Sequence, residues 1–342
     1  MRTPRSGLAI LLVLVVNAAA NSYAQWLPQE SHTHESLRGV SAVSQEIAWA
    51  SGTHGTYLRT IDGGLHWTAA QVAGAQALDF RDVEAFSAST AYLLAAGPGD
   101  ESRIYKTSTG GERWELQFTN PEPKGFLDCM AFWDKEHGIA VGDPINGKFQ
   151  IVATDDGGKH WTVLTPQMPE AIPDEGAFAA SGSCVATQGL RNAWFVTGGA
   201  AARVFRSQDR GRSWQATPAP ISHGVPSAGI FSIAFHDAKH GVIAGGDYKQ
   251  PEQGGANLAM TSDGGKSWRP VRIGKQSYFS AIAYIPGGLI AVGSSVAAVS
   301  HDGLKSWDSY TSDGFNAVSS RDRAMWAVGG NGKVSSFEFQ NK

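Results

Sequence analysis

Cysteine is nearly absent, with two in 342 residues, Cys129 and Cys184. No disulfide framework can hold such a chain together, and no Cys-x-x-Cys pair offers a zinc or redox motif. Charge is also sparse, at 17%, and close to balanced, with 28 Lys and Arg against 31 Asp and Glu. That excludes a charge-rich disordered chain and the basic field that holds nucleic acid. The apolar run at residues 8–16 falls well short of the ~20 residues that span a bilayer. Missing too are a Gly-x-Ser-x-Gly elbow, a phosphate-binding Walker loop, a His-Glu-x-x-His helix and a dinucleotide fingerprint. No cofactor and no metal are expected. His32 and His34 could ligate one, but two histidines near a terminus read better as solvated side chains.

Present instead are 41 Gly, 15 Pro and 11 Trp, in a chain that is 42% hydrophobic. Glycine spread evenly argues against a helical bundle and for many short strands joined by tight turns. At the N-terminus Arg2 and Arg5 precede the apolar run, and small residues follow to Ala24. This is the pattern of a secretory signal, with Ser22 and Ala24 suited to the −3 and −1 positions; an uncleaved anchor is the alternative. Residues 1–24 are therefore expected to be removed, leaving 26 basic and 31 acidic residues in a mildly acidic exported protein. Export permits a bond between Cys129 and Cys184, and two buried thiols are equally compatible with the sequence.

Six segments share one pattern: Thr60-Ile-Asp62-Gly-Gly-Leu-His-Trp67, Thr107-Ser-Thr109-Gly-Gly-Glu-Arg-Trp114, Thr154-Asp-Asp156-Gly-Gly-Lys-His-Trp161, Ser207-Gln-Asp209-Arg-Gly-Arg-Ser-Trp214, Thr261-Ser-Asp263-Gly-Gly-Lys-Ser-Trp268 and Ser300-His-Asp302-Gly-Leu-Lys-Ser-Trp307. Their tryptophans are 39 to 54 residues apart, a period of propeller blades rather than helical repeats. The motif is the Asp-box, S/T-x-D-x-G-x-x-W. Its Asp can accept hydrogen bonds from its own turn, its glycines permit positive φ, and its Trp opens the next strand with a large apolar surface. A structural role is expected for all of them.

Each unit has room for four strands, the content of a blade. Three strand-like pieces follow the sixth box, and a lone Trp26-Leu-Pro-Gln-Glu30 strand precedes the first unit. The expected fold is therefore all-β: a seven-bladed β-propeller of four-stranded antiparallel blades, one domain over residues 25–342, closed by the N-terminal strand in the last blade.

Loop lengths distinguish the two ends of such a ring. The box turns and the hairpins around His137 and His240 are short and share one end, whereas long connections (residues 98–102, 143–148, 162–182, 216–229 and 247–257) crowd the other. Functional groups concentrate on loops held by a rigid scaffold. The candidate binding face is thus the long-loop end, with Asp82, Glu84, Asp128, Asp143, Glu175, Arg203, Asp247 and Tyr248. Two carboxylates ~5–9 Å apart there could hydrolyse a glycoside; the plainer reading is a polar, solvated rim.

The six boxes and the Trp-Ala-Val-Gly-like second strands resemble the BNR/Asp-box propellers, and within them the chain is similar to the photosystem II stability/assembly factor family. That resemblance implies an exported or lumenal propeller that assists assembly of a membrane protein without catalysis. It also implies a basic patch from the residue before each box. Those residues are Arg59, Lys106, Ala153, Arg206, Met260 and Val299, so Arg59, Lys106 and Arg206 form a partial patch. The extended loops resemble a non-photosynthetic bacterial branch. Sialidases share the box but need an arginine triad, and xyloglucan-cleaving relatives use two propellers. The expected function is binding of a protein partner, an envelope or membrane protein, by a periplasmic or secreted propeller that makes no membrane span after cleavage. A glycan-binding or glycoside-hydrolysing propeller is the alternative.

Overall fold

The computed structural model describes residues 25–273, 277–301, 306–311 and 314–338. Residues 1–24, the expected signal segment, and Asp302 lie outside the described residues. Seven antiparallel sheets follow one another along the chain. The first blade shows the common plan: Leu37–Ala42, Ala48–Gly52, Thr56–Thr60 and Thr68–Gln71, each strand paired with the next. Apolar residues, small ones interleaved with large rings, fill the second strands, and Ala48–Gly52 is buried throughout between adjacent sheets. Strands covered on both faces carry apolar runs rather than alternation.

The seventh sheet joins both ends of the chain. Gln25–Gln29 pairs antiparallel with Val334–Glu338, placing Trp26 opposite Phe337 and Gln29 opposite Val334. Pro28 is tolerated because this is an edge strand, where a missing N–H costs no ladder bond. Trp26 packs on Phe315 and Phe337 with ring centroids 4.7 and 5.1 Å away. Gln29 reaches across to the first blade, accepting from Trp67 Nε1 at 2.9 Å and donating to the Gly63 carbonyl at 3.3 Å.

The boxes work as local braces. Asp62 Oδ1 accepts from the Thr60 hydroxyl and the His66 amide, both at 2.9 Å, while Gly64 N–H donates to Thr60 Oγ1. Asp156, Asp209 and Asp263 repeat the arrangement. In the second box Thr109 Oγ1 accepts the Arg113 amide at 2.9 Å, so a hydroxyl replaces the carboxylate without loss of the turn. Trp67, Trp214 and Trp268 are buried, and Trp114, Trp161 and Trp307 are half-buried.

One expectation changes, and one alternative left open by the sequence is decided. Part of the long-loop end is strand: Gly138–Ile145 and Lys148–Thr154 continue as a hairpin through Asn146 and Gly147, both at positive φ (52° and 80°). That is the two-residue turn which keeps a ladder in register. Residues 175–176 and 198–199 likewise add two short strands to the fifth blade, making its sheet six-stranded. The cysteines are bonded, with Cα atoms 5.9 Å apart. They occupy equivalent positions on neighbouring innermost strands. Near the axis those strands converge, and lateral contacts form there: Asp82 accepts the Met130 amide at 2.7 Å and Ser232 the Ile282 amide at 3.0 Å. The disulfide is the covalent link of the same collar.

Candidate functional site

At the long-loop end the innermost strands of blades 1, 2, 3 and 5 carry a bulge at Arg38, Arg81, Asp128 and Phe231. Three of these residues meet one segment, residues 177–183. Asp128 accepts the Ala179 amide and Arg81 donates to the Ala179 carbonyl at 3.3 Å. Phe178 stacks on Phe231 with centroids 4.0 Å apart. Further along, Gly182 lies against Asp82, where a Cβ would sit 2.2 Å from Oδ1. Ser181 donates to the Ser280 carbonyl at 2.9 Å. A segment touching blades 2, 3, 5 and 6 crosses the central opening, and it covers the carboxylates below.

Those carboxylates are held by the fold. Asp82 and Asp128 are buried, at 3% and 1% exposure. Desolvation raises both well above the usual carboxylate range, Glu84 adding to the shift at Asp82 and Asp143 to that at Asp128. Burial pushes Glu84 up to about 7 and also raises Asp143, whose Oδ1 accepts the Ala177 amide at 3.0 Å. Elsewhere on this end Glu175 is buried against Arg203 Nε at 2.8 Å and Thr197 Oγ1 at 2.6 Å. Asp247 caps the Lys249 amide at 2.9 Å, and Tyr248 stands 47% exposed beside Phe231 and Tyr278. The expected residues thus separate into a covered carboxylate group (Asp82, Glu84, Asp128, Asp143), an internal ion pair (Glu175, Arg203) and a rim (Asp247, Tyr248).

The box end differs. Arg59 lies over the Trp49 ring, 5.5 Å from its centroid, and donates to the Ala88 carbonyl of the next blade at 2.8 Å. Lys106 does the same over Tyr92, at 5.1 Å, and donates to the Gly157 carbonyl at 2.7 Å. These two cations pin blades together. Arg206 sits opposite Trp194 and donates to Gln215.

A more concentrated basic group lies on the fourth blade and was not singled out from the sequence. Arg191, Arg210 and Arg212 surround a cleft of about 330 Å³. Among the described residues their counter-charges are Asp209 in the cleft wall and Asp155, 3.8 Å from both Arg210 and Arg212. Arg210 occupies the box position that is Gly63, Gly110, Gly157 and Gly264 elsewhere, and it keeps their left-handed backbone at φ 59°. A non-glycine residue there carries about 1–2 kcal/mol of strain, and such strain gathers at functional sites. The signal was legible: one box has Arg where the others have Gly.

No family model matches the chain. Photosystem II assembly lipoprotein Ycf48 of Synechococcus sp. (strain CC9902) is 22% identical over 317 residues, spanning 79% of this chain and 89% of that protein. Among solved structures, YCF48 bound to D1 peptide superposes with a TM-score of 0.67 at 15% identity, over 93% of this chain and 96% of that one. YCF48 from Cyanidioschyzon merolae gives 0.65 at 18% identity, over 92% and 98%. A virginiamycin B lyase from Staphylococcus aureus also reaches 0.67, at 11% identity, over 93% and 99%. The shared wheel therefore carries both a peptide binder and a lyase, and the architecture alone does not decide between binding and catalysis.

Proposed function

We propose that this chain is an exported, non-catalytic propeller that binds an acidic segment of a partner protein through the arginines of its fourth blade. The observation that carries this reading is Arg210, retained at φ 59° beside Arg191 and Arg212. Guanidinium groups grouped this way suit bidentate recognition of carboxylates. The likeness to Ycf48, one structure of which holds a D1 peptide, supports a peptide segment as the ligand. Export rests on the signal pattern at residues 1–24. Against the glycoside alternative stands the state of its carboxylates: Asp82, Asp128 and Asp143 accept backbone amides, the last two from the bridging segment itself.

The test uses fluorescence polarisation with labelled Asp/Glu-rich peptides and with neutral peptides of equal length. Binding should favour the acidic peptides and weaken as salt rises. It should fall at least about tenfold in Arg210→Gly/Arg212→Gln, the loss of one or two charge-assisted bonds. Unchanged binding by that folded variant would overturn the assignment.

A further inference from the structure

A second recess opens on the box end, between the fifth and sixth blades. It measures about 490 Å³ and is lined chiefly by Gly241, Met260, Tyr284, Ile285 and Leu289, with Arg269 at its edge. Its origin is visible in the repeat. The second strands of blades 1, 2, 4 and 7 place Trp49, Tyr92, Trp194 and Trp326 at one equivalent position. These rings fill the seam to the following blade: Trp49 meets Trp114, Tyr92 meets Phe132, Trp194 stacks on Phe235 at 3.6 Å, and Trp326 meets Trp67. Three of them also bond a carbonyl of that blade: Trp49 with Ser87, Tyr92 with Gly157 and Trp194 with Gly264. In the fifth blade the position is Val242, opposite Met260 rather than a cation. The third blade has Ile139 opposite Ala153, and a smaller cleft of about 290 Å³ opens at its seam.

We infer that the seam between blades 5 and 6 is a binding recess for an aromatic side chain next to a carboxylate on the partner's segment. The fold itself supplies the template, because an indole or phenol occupies the corresponding space in four other seams. Charge complementarity supplies the second element. Arg269 is exposed at the rim and has no ion-pair partner among the described residues, whereas His240 is already bonded to Asp237 and Ser267 to Asp263. No carboxylate lines the recess among the described residues. The inference rests on the reading of the chain as a segment binder, but it concerns different residues and is measured with different probes.

The experiment is calorimetric titration with indole-3-propionate and with indole-3-propionamide. Both should bind saturably, the amide about tenfold more weakly, as expected for one lost charge-assisted bond. Arg269→Gln should make the two equal. Val242→Trp should abolish both and raise the melting temperature, since it supplies the ring that the other seams own. If Val242→Trp does not fold, Met260→Glu places a charge on the half-buried wall and should abolish binding with an unchanged circular dichroism spectrum. No saturable binding of either probe, wild-type binding by a folded seam variant, or an acid preference surviving Arg269→Gln would overturn the inference. Any of these leaves the arginine test on blade 4 unaffected.

Discussion

At the scale of single residues, carboxylates of two kinds respond to pH in opposite senses. Asp62 and Asp156 are held down to about 2, chiefly by the amides and then the side chains of His66 and His160. A depressed folded value means a contribution present above the unfolded value near 4 and lost as pH falls through about 2. Glu84 is the reverse: raised to about 7 by burial, it favours the fold below its unfolded value near 4.3, and that contribution is lost as pH rises through about 7. The melting temperature should therefore rise from pH 2 to 4 and decline from pH 5 to 8, and Glu84→Gln should flatten the decline. A Glu84→Gln curve parallel to wild type would place the pH dependence elsewhere. Arg210 gives the companion prediction. Arg210→Gly relieves strain of about 1–2 kcal/mol but loses the 2.8 Å bond to the Leu190 carbonyl, worth about 0.5–1.5 kcal/mol. Chemical denaturation should then show stability within about 1 kcal/mol of wild type, separating any binding defect from unfolding.

Among elements, the innermost strands and the segment across them matter most. The Cys129–Cys184 bond closes a loop with sequence separation 55, and losing it should cost about 2–4 kcal/mol. Cys129→Ser/Cys184→Ser should lower the denaturation midpoint accordingly, and reductant should lower the wild type alone. An equal response of both proteins to reductant would contradict a structural bond. The sequence left this pairing open because strand periodicity gives direction along a strand, not the distance between strands that converge on an axis. The same gap hid the bridging segment: Phe178, Ala179 and Gly182 read as loop, and only their meeting with Phe231, Asp128 and Asp82 shows that they cross the opening. The seam aromatics were more legible. Arg59 and Lys106 precede boxes whose blades carry Trp49 and Tyr92, whereas Ala153 and Met260 accompany Ile139 and Val242. The residue before the box and the ring opposite it on the neighbouring strand change together because one covers the other.

For the whole molecule, the box spacing and the leftover strands at each end already implied seven blades and their closure, since a three-stranded remnant and a lone strand complete each other. What the chain order could not convey was which loops crowd together once the circle forms. Trp49 is fully buried between the first two blades, and Trp49→Ala should cost about 3–5 kcal/mol by denaturant unfolding, as a large core truncation. A loss under about 1 kcal/mol would mean that the seams tolerate emptiness, and the recess beside Val242 would lose its significance. The clasp between Gln25–Gln29 and Val334–Glu338 bears on how the molecule comes into being. Its two halves are separated by almost the entire polypeptide, so the final sheet cannot form until synthesis has reached Glu338. Until then Gln25–Gln29 has no strand to pair with and Ala324–Val328 is left as an open edge, a hazard for any nascent chain. A polypeptide that must stay open until its last strand arrives is also one that can be threaded through a translocation pore before it locks.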